Sequence, residues 1–305
     1  MQDLKFVWLE LTGRCFLLCD HCYADSGPKG TDGSMLPADW LRVIDEVAQL
    51  GGRMVQFIGG EPTLHRSLPA FVAHVLAGGL EVEVFSNLVH VSSRLWEAFA
   101  QPGVRLATSY YSDNATEHKE ITKGRNSYVR TKANIIEALR RSIPLRVGLI
   151  DVQDGQRVEQ ARAELEALGV TEISLDRLRQ IGRGVRDQQP SAEQLCGRCA
   201  DGVVAISPDG RVWPCVFARW LPVGNVCESS LYEIVDGTIL ATTRTQLERN
   251  FAKRQCGPDK QKCVPESRCD PSQGDCRPHC PPGYHCGPKC TLDECWPGYY
   301  CVPAG

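Results

Sequence analysis

The sequence predicts an α/β protein with a parallel sheet, followed by a small cysteine-rich C-terminal extension. Two observations support this prediction: six short apolar runs alternate with helical patterns, and the 16 cysteines are concentrated towards the two ends of the chain. Strands that alternate with helices imply parallel βαβ units, arranged either as an open doubly wound sheet or as a partial barrel. In both arrangements, ligands bind at the carboxyl ends of the strands.

The predicted strands are short segments rich in β-branched and aromatic residues. They are KFVWLEL (5–11), MVQFIGG (54–60), EVEVFSN (81–87), VRLATSYY (104–111), LRVGLIDV (145–152) and EISLDRL (172–178). Helical periodicity fills the segments 37–51, 67–79, 92–101, 128–141 and 157–169. The first of these helices begins with Pro37, which suits a first helical turn, and ends at Gly51.

Composition restricts the class of protein. The chain has 305 residues, of which 42% are hydrophobic, so it can bury a full core. Its net charge of −3 gives no reason to expect a nucleic-acid or anionic-membrane partner. Because the sequence has neither a signal peptide nor an apolar stretch of about 18 residues, we expect a cytoplasmic protein. In that reducing compartment, many cysteines favour metal or cluster ligation over disulfides.

Three cysteines follow the first predicted strand, in the segment GRCFLLCDHCY (13–23). Cys15, Cys19 and Cys22 can hold three irons of a cubane [4Fe–4S] cluster and leave the fourth iron open to another ligand. Half of a zinc site is the alternative, but it needs a fourth ligand, and His21 is badly placed to supply one.

This C-x3-C-x2-C loop resembles the signature of the radical S-adenosylmethionine (SAM) enzymes. The sequence GGEPT (59–63), after the second predicted strand, is similar to the GGEP motif of that family. The resemblance implies a partial (β/α)6 TIM-like barrel over residues 1–189, with a SAM-binding [4Fe–4S] cluster. It also implies that a flavodoxin- or ferredoxin-type reductant drives cleavage of SAM to a 5′-deoxyadenosyl radical, which abstracts hydrogen from an unactivated carbon.

The same resemblance implies a set of residues that contact SAM. Glycines in the GGEP motif permit close approach of the main chain to the ligand. The implied contacts are Gly59, Gly60, Glu61 and Pro62 to the amino group, Ser86 and Asn87 to the ribose or carboxylate, His21 and Tyr23 to the adenine, and Arg146 to the carboxylate. The alternatives are ordinary polar residues at a strand end for Ser86 and Asn87, and a structural charge for Arg146.

Residues 190–305 form the predicted cysteine-rich region, which begins around the linker QQPSAEQ. Two short β runs meet at a Pro-Asp-Gly turn, so Cys199 and Cys215 are expected to approach each other. The region resembles the SPASM or twitch extension of radical SAM enzymes, which implies one or two auxiliary [4Fe–4S] clusters. The implied ligands are among Cys196, Cys199, Cys215, Cys276, Cys280, Cys286, Cys290 and Cys295. A zinc-knuckle or disulfide mini-domain is the alternative.

The resemblance predicts the chemistry more closely than the substrate. The first hypothesis is an enzyme of natural-product biosynthesis that modifies a ribosomally made peptide by epimerisation, cross-linking or thioether formation. Because the first strand begins near residue 5, any leader-peptide-binding module is expected to be a separate protein or absent.

The second hypothesis is an epimerase or dehydrogenase of an aminoglycoside or sugar antibiotic. A thiol, from Cys227 or Cys256, would then return a hydrogen atom to the substrate, and acidic residues such as Asp113 and Glu117 would bind an amino sugar. A third hypothesis, a non-enzymatic iron–sulfur or zinc scaffold, leaves the GGEP motif unexplained.

Overall fold

A computed structural model describes residues 4–255, whose strands form one nine-stranded sheet. The strands are β1 (Phe6–Glu10), β2 (Met54–Ile58), β3 (Glu81–Phe85), β4 (Val104–Tyr110), β5 (Leu145–Asp151), β6 (Glu172–Arg177), β7 (Val203–Ile206), β8 (Arg211–Trp213) and β9 (Gly224–Asn225). The helices are α1 (Pro37–Gln49), α2 (Leu68–Ala77), α3 (Ser93–Phe99), α4 (Ala115–Thr122), α5 (Ser127–Arg140), α6 (Val158–Ala167), α7 (Leu231–Val235) and α8 (Thr238–Gln255).

Each predicted strand and helix is present, with its ends within two residues of the prediction. Helices α7 and α8 were not predicted, and neither was α4, whose sequence, ATEHKEIT, carries no clear apolar stripe. Helix α4 begins at Asn114, whose side-chain oxygen accepts hydrogen bonds from the backbone N–H groups of Thr116 and Glu117.

The strand order distinguishes between the two predicted architectures. It runs β6-β5-β4-β3-β2-β1-β7-β8-β9, and β1 to β6 are parallel neighbours in sequence order. Right-handed crossovers that all progress in one direction place their helices on one face of the sheet, whereas a doubly wound sheet reverses direction. The partial (β/α)6 barrel is therefore confirmed, and the doubly wound alternative is wrong.

The two faces of β1 pack into different cores because successive side chains of a strand point to opposite sides. Val7 and Leu9 lie in the large core with Trp40 of α1 and Phe71 of α2. On the opposite, concave face, buried residues of the barrel and of the C-terminal region form a second core. Its members include Phe6, Trp8, Met54, Ile58, Leu195, Cys199, Cys215 and Ala218.

The C-terminal region continues the barrel sheet. Strand β7 pairs parallel to β1, and β8 and β9 add to it in antiparallel fashion, with the Pro-Asp-Gly turn between β7 and β8. The predicted division between residues 189 and 190 falls in the connection from β6 to β7 and stays a prediction. Within residues 4–255, no helix is both long and apolar enough to span a membrane.

Two neighbouring isoleucines on α5 test the packing of the helices against the sheet. Ile135 is fully buried, whereas Ile136 is 45% exposed. We expect Ile135→Ala to lower the free energy of unfolding by about 2–5 kcal/mol, because it leaves a cavity in the core. Ile136→Ala should change it by no more than about 0.5 kcal/mol. Denaturant unfolding of both variants measures the difference, and equal losses would contradict this packing.

Candidate active site

The segment between β1 and α1, residues 11–36, carries the first three cysteines and is called the cysteine loop below. It leaves the carboxyl end of β1, as predicted, and folds back on itself through main-chain hydrogen bonds. Gly13 N–H donates to the Thr31 carbonyl at 2.8 Å, and Cys15 N–H donates to the Gly27 carbonyl at 3.0 Å. These bonds fix the start of the loop at the rim of the barrel.

The three thiols are partly buried and lie close enough together for their charges to affect the ionisation of Cys15 and Cys19. Burial raises the pKa of Cys15 to about 12, with the charges of Glu61 and Cys22 acting in the same direction. Burial also raises the pKa of Cys19, to which the charges of the other two thiols contribute. A bound metal deprotonates a coordinating thiol outright. This donor set therefore fits a bound cationic centre.

A single metal ion and an iron–sulfur cluster require different arrangements of their ligands. Among residues 4–255, no three His, Cys, Asp or Glu side chains are grouped in a way that would hold one metal ion. In a cubane cluster each cysteine thiolate binds its own iron, so the ligands do not converge on one point.

The residues 59–62, called the GGEP turn below, lie directly against the cysteine loop. Gly60 N–H donates to the Thr12 carbonyl at 2.7 Å, and Glu61 N–H donates to the Arg14 carbonyl at 2.8 Å. A Cβ atom on Gly60 would lie 2.2 Å from the Arg14 oxygen, well inside van der Waals contact. Glycine is thus required here for the approach of the two loops, in addition to the predicted approach to a ligand.

Glu61 joins the carboxyl ends of two strands. Its buried carboxylate accepts hydrogen bonds from Ser86 Oγ and from the Asn87 backbone N–H, both at 2.8 Å. The Thr63 backbone N–H donates to the same carboxylate at 3.1 Å. Burial raises the pKa of Glu61, and the three donors act against that increase. The predicted contact of Glu61 with SAM stays a prediction, and the structure adds this positioning role.

Asn87 connects the end of β3 to the cysteine loop. Its side-chain amide donates to Cys15 Sγ at 3.5 Å, while its carbonyl accepts from Thr131 Oγ1 at 2.8 Å. Ser86 and Asn87 were predicted either as SAM contacts or as ordinary polar residues at a strand end. In the structure they hold Glu61 and Cys15, respectively, so both have partners within the protein.

The two aromatic residues beside Cys22 lie in different surroundings. His21 Nε2 and the Tyr111 hydroxyl are hydrogen-bonded at 3.0 Å, and burial lowers the pKa of His21 to about 4. His21 is therefore neutral at neutral pH. Tyr23 packs with its ring centroid 5.4 Å from that of Phe217 in the C-terminal region. Their predicted contacts with adenine stay predictions.

An ion pair between a buried carboxylate and a partly exposed guanidinium lies beside Tyr23 and was not predicted. Arg219 Nη1 contacts both carboxylate oxygens of Glu10, at 2.6 and 2.7 Å, and Glu10 is 1% exposed. The Arg219 guanidinium also lies 4.4 Å from the ring centroid of Trp213. The carboxyl end of β1 is thus connected to the C-terminal region on the concave side.

Arg146 lies at the other end of the barrel from the cysteine loop. It is the second residue of β5, and it makes two hydrogen bonds to Glu83, at 2.8 and 2.7 Å. Arg105 pairs with the same carboxylate at 3.1 Å. The position near the amino ends of the strands gives the predicted contact with the SAM carboxylate no support. It agrees with the alternative, a structural charge.

Three cysteines of the C-terminal region lie together. Cys199 Sγ and Cys215 Sγ, both buried, are 2.7 Å apart, as expected from the hairpin. A hydrogen bond from Cys199 lowers the pKa of Cys196 to about 6, and the charge of Arg179 acts in the same direction. Their predicted role as ligands of an auxiliary cluster stays a prediction.

Of the remaining predicted cysteines, only Cys227 lies within the described residues. Cys227 is exposed and adjoins Val226, whose carbonyl accepts from Arg42 of α1 at 2.7 Å. Since Val226 packs in the core on the helical side, this position gives the predicted hydrogen-donor role no support. The following predicted residues lie outside the described residues: Cys256, Cys276, Cys280, Cys286, Cys290 and Cys295.

Comparisons with known families agree with this fold and site. Residues 9–168, about half of the chain, match the family described as the Radical SAM superfamily. Residues 196–269 match SPASM, described as an iron-sulfur cluster-binding domain. The chain therefore belongs to the radical SAM superfamily and carries a C-terminal SPASM domain.

Individual relatives are distant. PqqA peptide cyclase of Xanthomonas campestris is 29% identical over 196 residues, which are 62% of this chain and 52% of that protein. The chain spans about half the length of the curated relatives it matches.

Two solved structures are similar in fold. Streptococcus suis SuiB bound to precursor peptide SuiA has a TM-score of 0.67 at 14% identity, covering 80% of this chain and 67% of that one. BtrN in complex with AdoMet and 2-DOIA has a TM-score of 0.53 at 16% identity, covering 83% and 91%.

The contact between the two loops can be tested with a pair of glycine substitutions. Gly60→Ala should lower the free energy of unfolding by about 1–3 kcal/mol, because the new methyl group forces the GGEP turn away from Arg14. Gly78, the residue that follows α2, has φ −76°, and its nearest neighbours would lie 3.4 Å or more from a Cβ atom. Gly78→Ala should leave stability unchanged or raise it by less than about 1 kcal/mol.

Denaturant unfolding of the two glycine variants gives the comparison. A Gly60→Ala protein as stable as the Gly78→Ala protein would contradict the described contact between the GGEP turn and the cysteine loop.

Proposed function

We propose that this radical SAM/SPASM enzyme modifies a ribosomally made peptide in natural-product biosynthesis. The product would carry an epimerised residue, a cross-link or a thioether. The observation that carries this proposal is the similarity to proteins whose names refer to peptides: a PqqA peptide cyclase, and SuiB bound to its precursor peptide SuiA.

The radical SAM and SPASM matches imply SAM and iron–sulfur clusters. In this proposal Cys15, Cys19 and Cys22 hold the SAM-binding [4Fe–4S] cluster. A cluster held there, with SAM and an electron from a flavodoxin- or ferredoxin-type protein, would supply radical chemistry for removing a hydrogen from the substrate. An auxiliary cluster would use Cys196, Cys199 and Cys215 together with tail cysteines.

Buried polar atoms near the cysteine loop support a ligand at this rim. His21 Nδ1, Ser26 Oγ and Thr63 Oγ1 are buried and make no hydrogen bond within the described residues. Buried polar groups are normally hydrogen-bonded, so a ligand with polar groups of its own would satisfy them. All three atoms belong to the cysteine loop or to the residues just after the GGEP motif.

The concave surface beside Tyr23 supports a peptide as the substrate. The half-buried side chains of Tyr23 and Phe217 and the partly exposed guanidinium of Arg219 lie next to the carboxyl end of β1. Such groups pack against peptide side chains and donate hydrogen bonds to peptide carbonyls. The Glu10–Arg219 pair would orient the substrate on this surface.

An aminoglycoside or sugar substrate is the second candidate, and the likeness to BtrN favours it. Acidic residues expected to bind an amino sugar have other partners, however. Asp113 makes two hydrogen bonds to Arg157, at 2.7 and 2.8 Å, and Glu117 accepts a hydrogen bond from the Arg157 backbone N–H. The acidic residues named by the second hypothesis therefore already have a basic partner within the protein.

Formation of 5′-deoxyadenosine tests the proposed chemistry. The full chain is reconstituted with iron and sulfide under anaerobic conditions, reduced, and mixed with SAM and candidate substrates. We expect Cys15→Ala to lose product formation by at least about 100-fold, because one cluster ligand is missing. Lys29→Ala, an exposed change in the same loop, is the control and should keep the rate within about twofold of wild type.

The substrate class is read from the same reactions by mass spectrometry. A short peptide encoded beside this gene should lose two hydrogens on cross-linking, or gain one deuterium from heavy water on epimerisation. Turnover of an amino sugar but of no peptide would contradict the peptide proposal. Equal formation of 5′-deoxyadenosine by wild type and Cys15→Ala would contradict the chemistry itself.

A further inference from the structure

The segment that follows β6 lies across the cysteine loop. Gly182 has φ +58°, and a Cβ atom there would lie 2.5 Å from the carbonyl oxygens of both Cys22 and Tyr23. Only a residue without a side chain permits this approach. Glycine at position 182 therefore sets the next residue, Arg183, directly against the loop.

Arg183 makes four hydrogen bonds to the cysteine loop. Its backbone N–H donates to the Cys22 carbonyl at 3.0 Å, and its Nε donates to the Cys19 carbonyl at 2.9 Å. The two remaining guanidinium nitrogens bind the loop between Cys22 and Gly27. They donate to the Ser26 carbonyl at 2.6 Å and to the Asp25 carboxylate at 2.8 Å.

These acceptors belong to residues at or near two of the proposed cluster ligands. The guanidinium of Arg183 is planar, and its N–H donors point in fixed directions. It therefore satisfies loop carbonyls that would otherwise need water as a hydrogen-bond donor. A lysine has the same charge but lacks this fork of donors. The geometry is therefore specific to arginine, and it restrains the backbone that carries Cys19 and Cys22.

The charge of Arg183 also acts on this site. Its Nε–H donates to the main-chain carbonyl of Cys19 itself, so the guanidinium charge lies close to a proposed cluster ligand. The carboxylate of Asp25, which pairs with Arg183, is 73% exposed, whereas the Arg183 side chain is 23% exposed. The guanidinium is thus the less exposed member of the pair, and its other donors are directed at main-chain carbonyls of the cysteine loop. Arg186 adds a second positive charge nearby and donates to the Arg183 and Asp20 carbonyls.

We infer that Arg183 is a positioning residue of the SAM-binding cluster: it holds the loop that presents the thiolates, and its charge favours the reduced cluster. This inference rests on the proposed function, since it requires a cluster on Cys15, Cys19 and Cys22. Reduction adds one negative charge to the cluster, and a fixed positive charge in a partly buried site stabilises the product of that step.

Two substitutions separate the geometric role from the charge. Arg183→Met removes the fork and the charge, whereas Arg183→Lys removes the fork and keeps the charge. Arg177→Met is the matched control, because Arg177 is an exposed arginine of β6 whose guanidinium donates to the Glu193 carbonyl, away from the cysteine loop.

The first measurement is a redox titration of the reconstituted full chain followed by electron paramagnetic resonance. The signal of the SAM-binding cluster is identified as the one absent from Cys15→Ala. In Arg183→Met the ratio of reduced to oxidised cluster at a fixed potential should fall about tenfold, equivalent to a midpoint about 59 mV more negative. Arg183→Lys should stay within about threefold of wild type, as should Arg177→Met.

The second measurement is amide hydrogen exchange of the protein without clusters. Peptides covering residues 13–27 should exchange at least about tenfold faster in both Arg183 variants, and at the wild-type rate in Arg177→Met. This readout needs no cluster, so it tests the geometric role even if the proposed function fails.

The outcomes are distinct. A wild-type protein with no signal that depends on Cys15 refutes the proposed function. A signal that depends on Cys15 but titrates identically in Arg183→Met overturns the charge role, and so does an equal shift in Arg183→Lys. Unchanged exchange of residues 13–27 in both Arg183 variants overturns the geometric role.

Discussion

The site depends on two main-chain hydrogen bonds between neighbouring loops. Gly60 N–H and Glu61 N–H donate to the carbonyls of Thr12 and Arg14, so the GGEP turn continues the parallel pairing of β1 and β2 beyond the strands. Two buried strands fix where the loops begin, and the missing Cβ of Gly60 lets them meet. Without this contact, fewer hydrogen bonds would connect the segment that carries Cys15 to the barrel.

Other strands add to the same restraint. Glu61 extends the contact to the end of β3 through Ser86 and Asn87, and Asn87 reaches Cys15. From β6, the segment with Arg183 covers the opposite part of the loop. The cysteine loop is thus held by side chains and backbone from the segments that follow three strands, β2, β3 and β6, which is the kind of preorganised support that a catalytic centre requires.

Much of the fold was predictable because its signals are local. Apolar runs and helical periodicity gave the six strands and five of the helices, while the polar helix α4 lacked such a signal. The location of the site at the carboxyl ends of the strands followed from the cysteines and the GGEP motif. Arg146 was predicted to contact SAM because it lies on a strand. It lies at the amino end of β5, however, whereas ligands bind at the carboxyl ends of the strands.

The contacts that sequence reasoning missed are long-range. Glu10 and Arg219 are 209 residues apart, and Cys19 and Arg183 are 164 apart, so no local pattern connects them. A charge within the apolar run KFVWLEL was a usable signal for Glu10, since a buried carboxylate requires a partner. The identity of that partner is set by the path of the chain after β6.

The central claim is that the cysteine loop presents a cluster with one iron open to SAM. Electron paramagnetic resonance of the reduced, reconstituted protein, recorded with and without SAM, tests it most directly. We predict that SAM changes the spectrum of a cluster signal, and that Cys15→Ala lacks this signal. A fully loaded protein whose cluster signals are all unaffected by saturating SAM would contradict the claim.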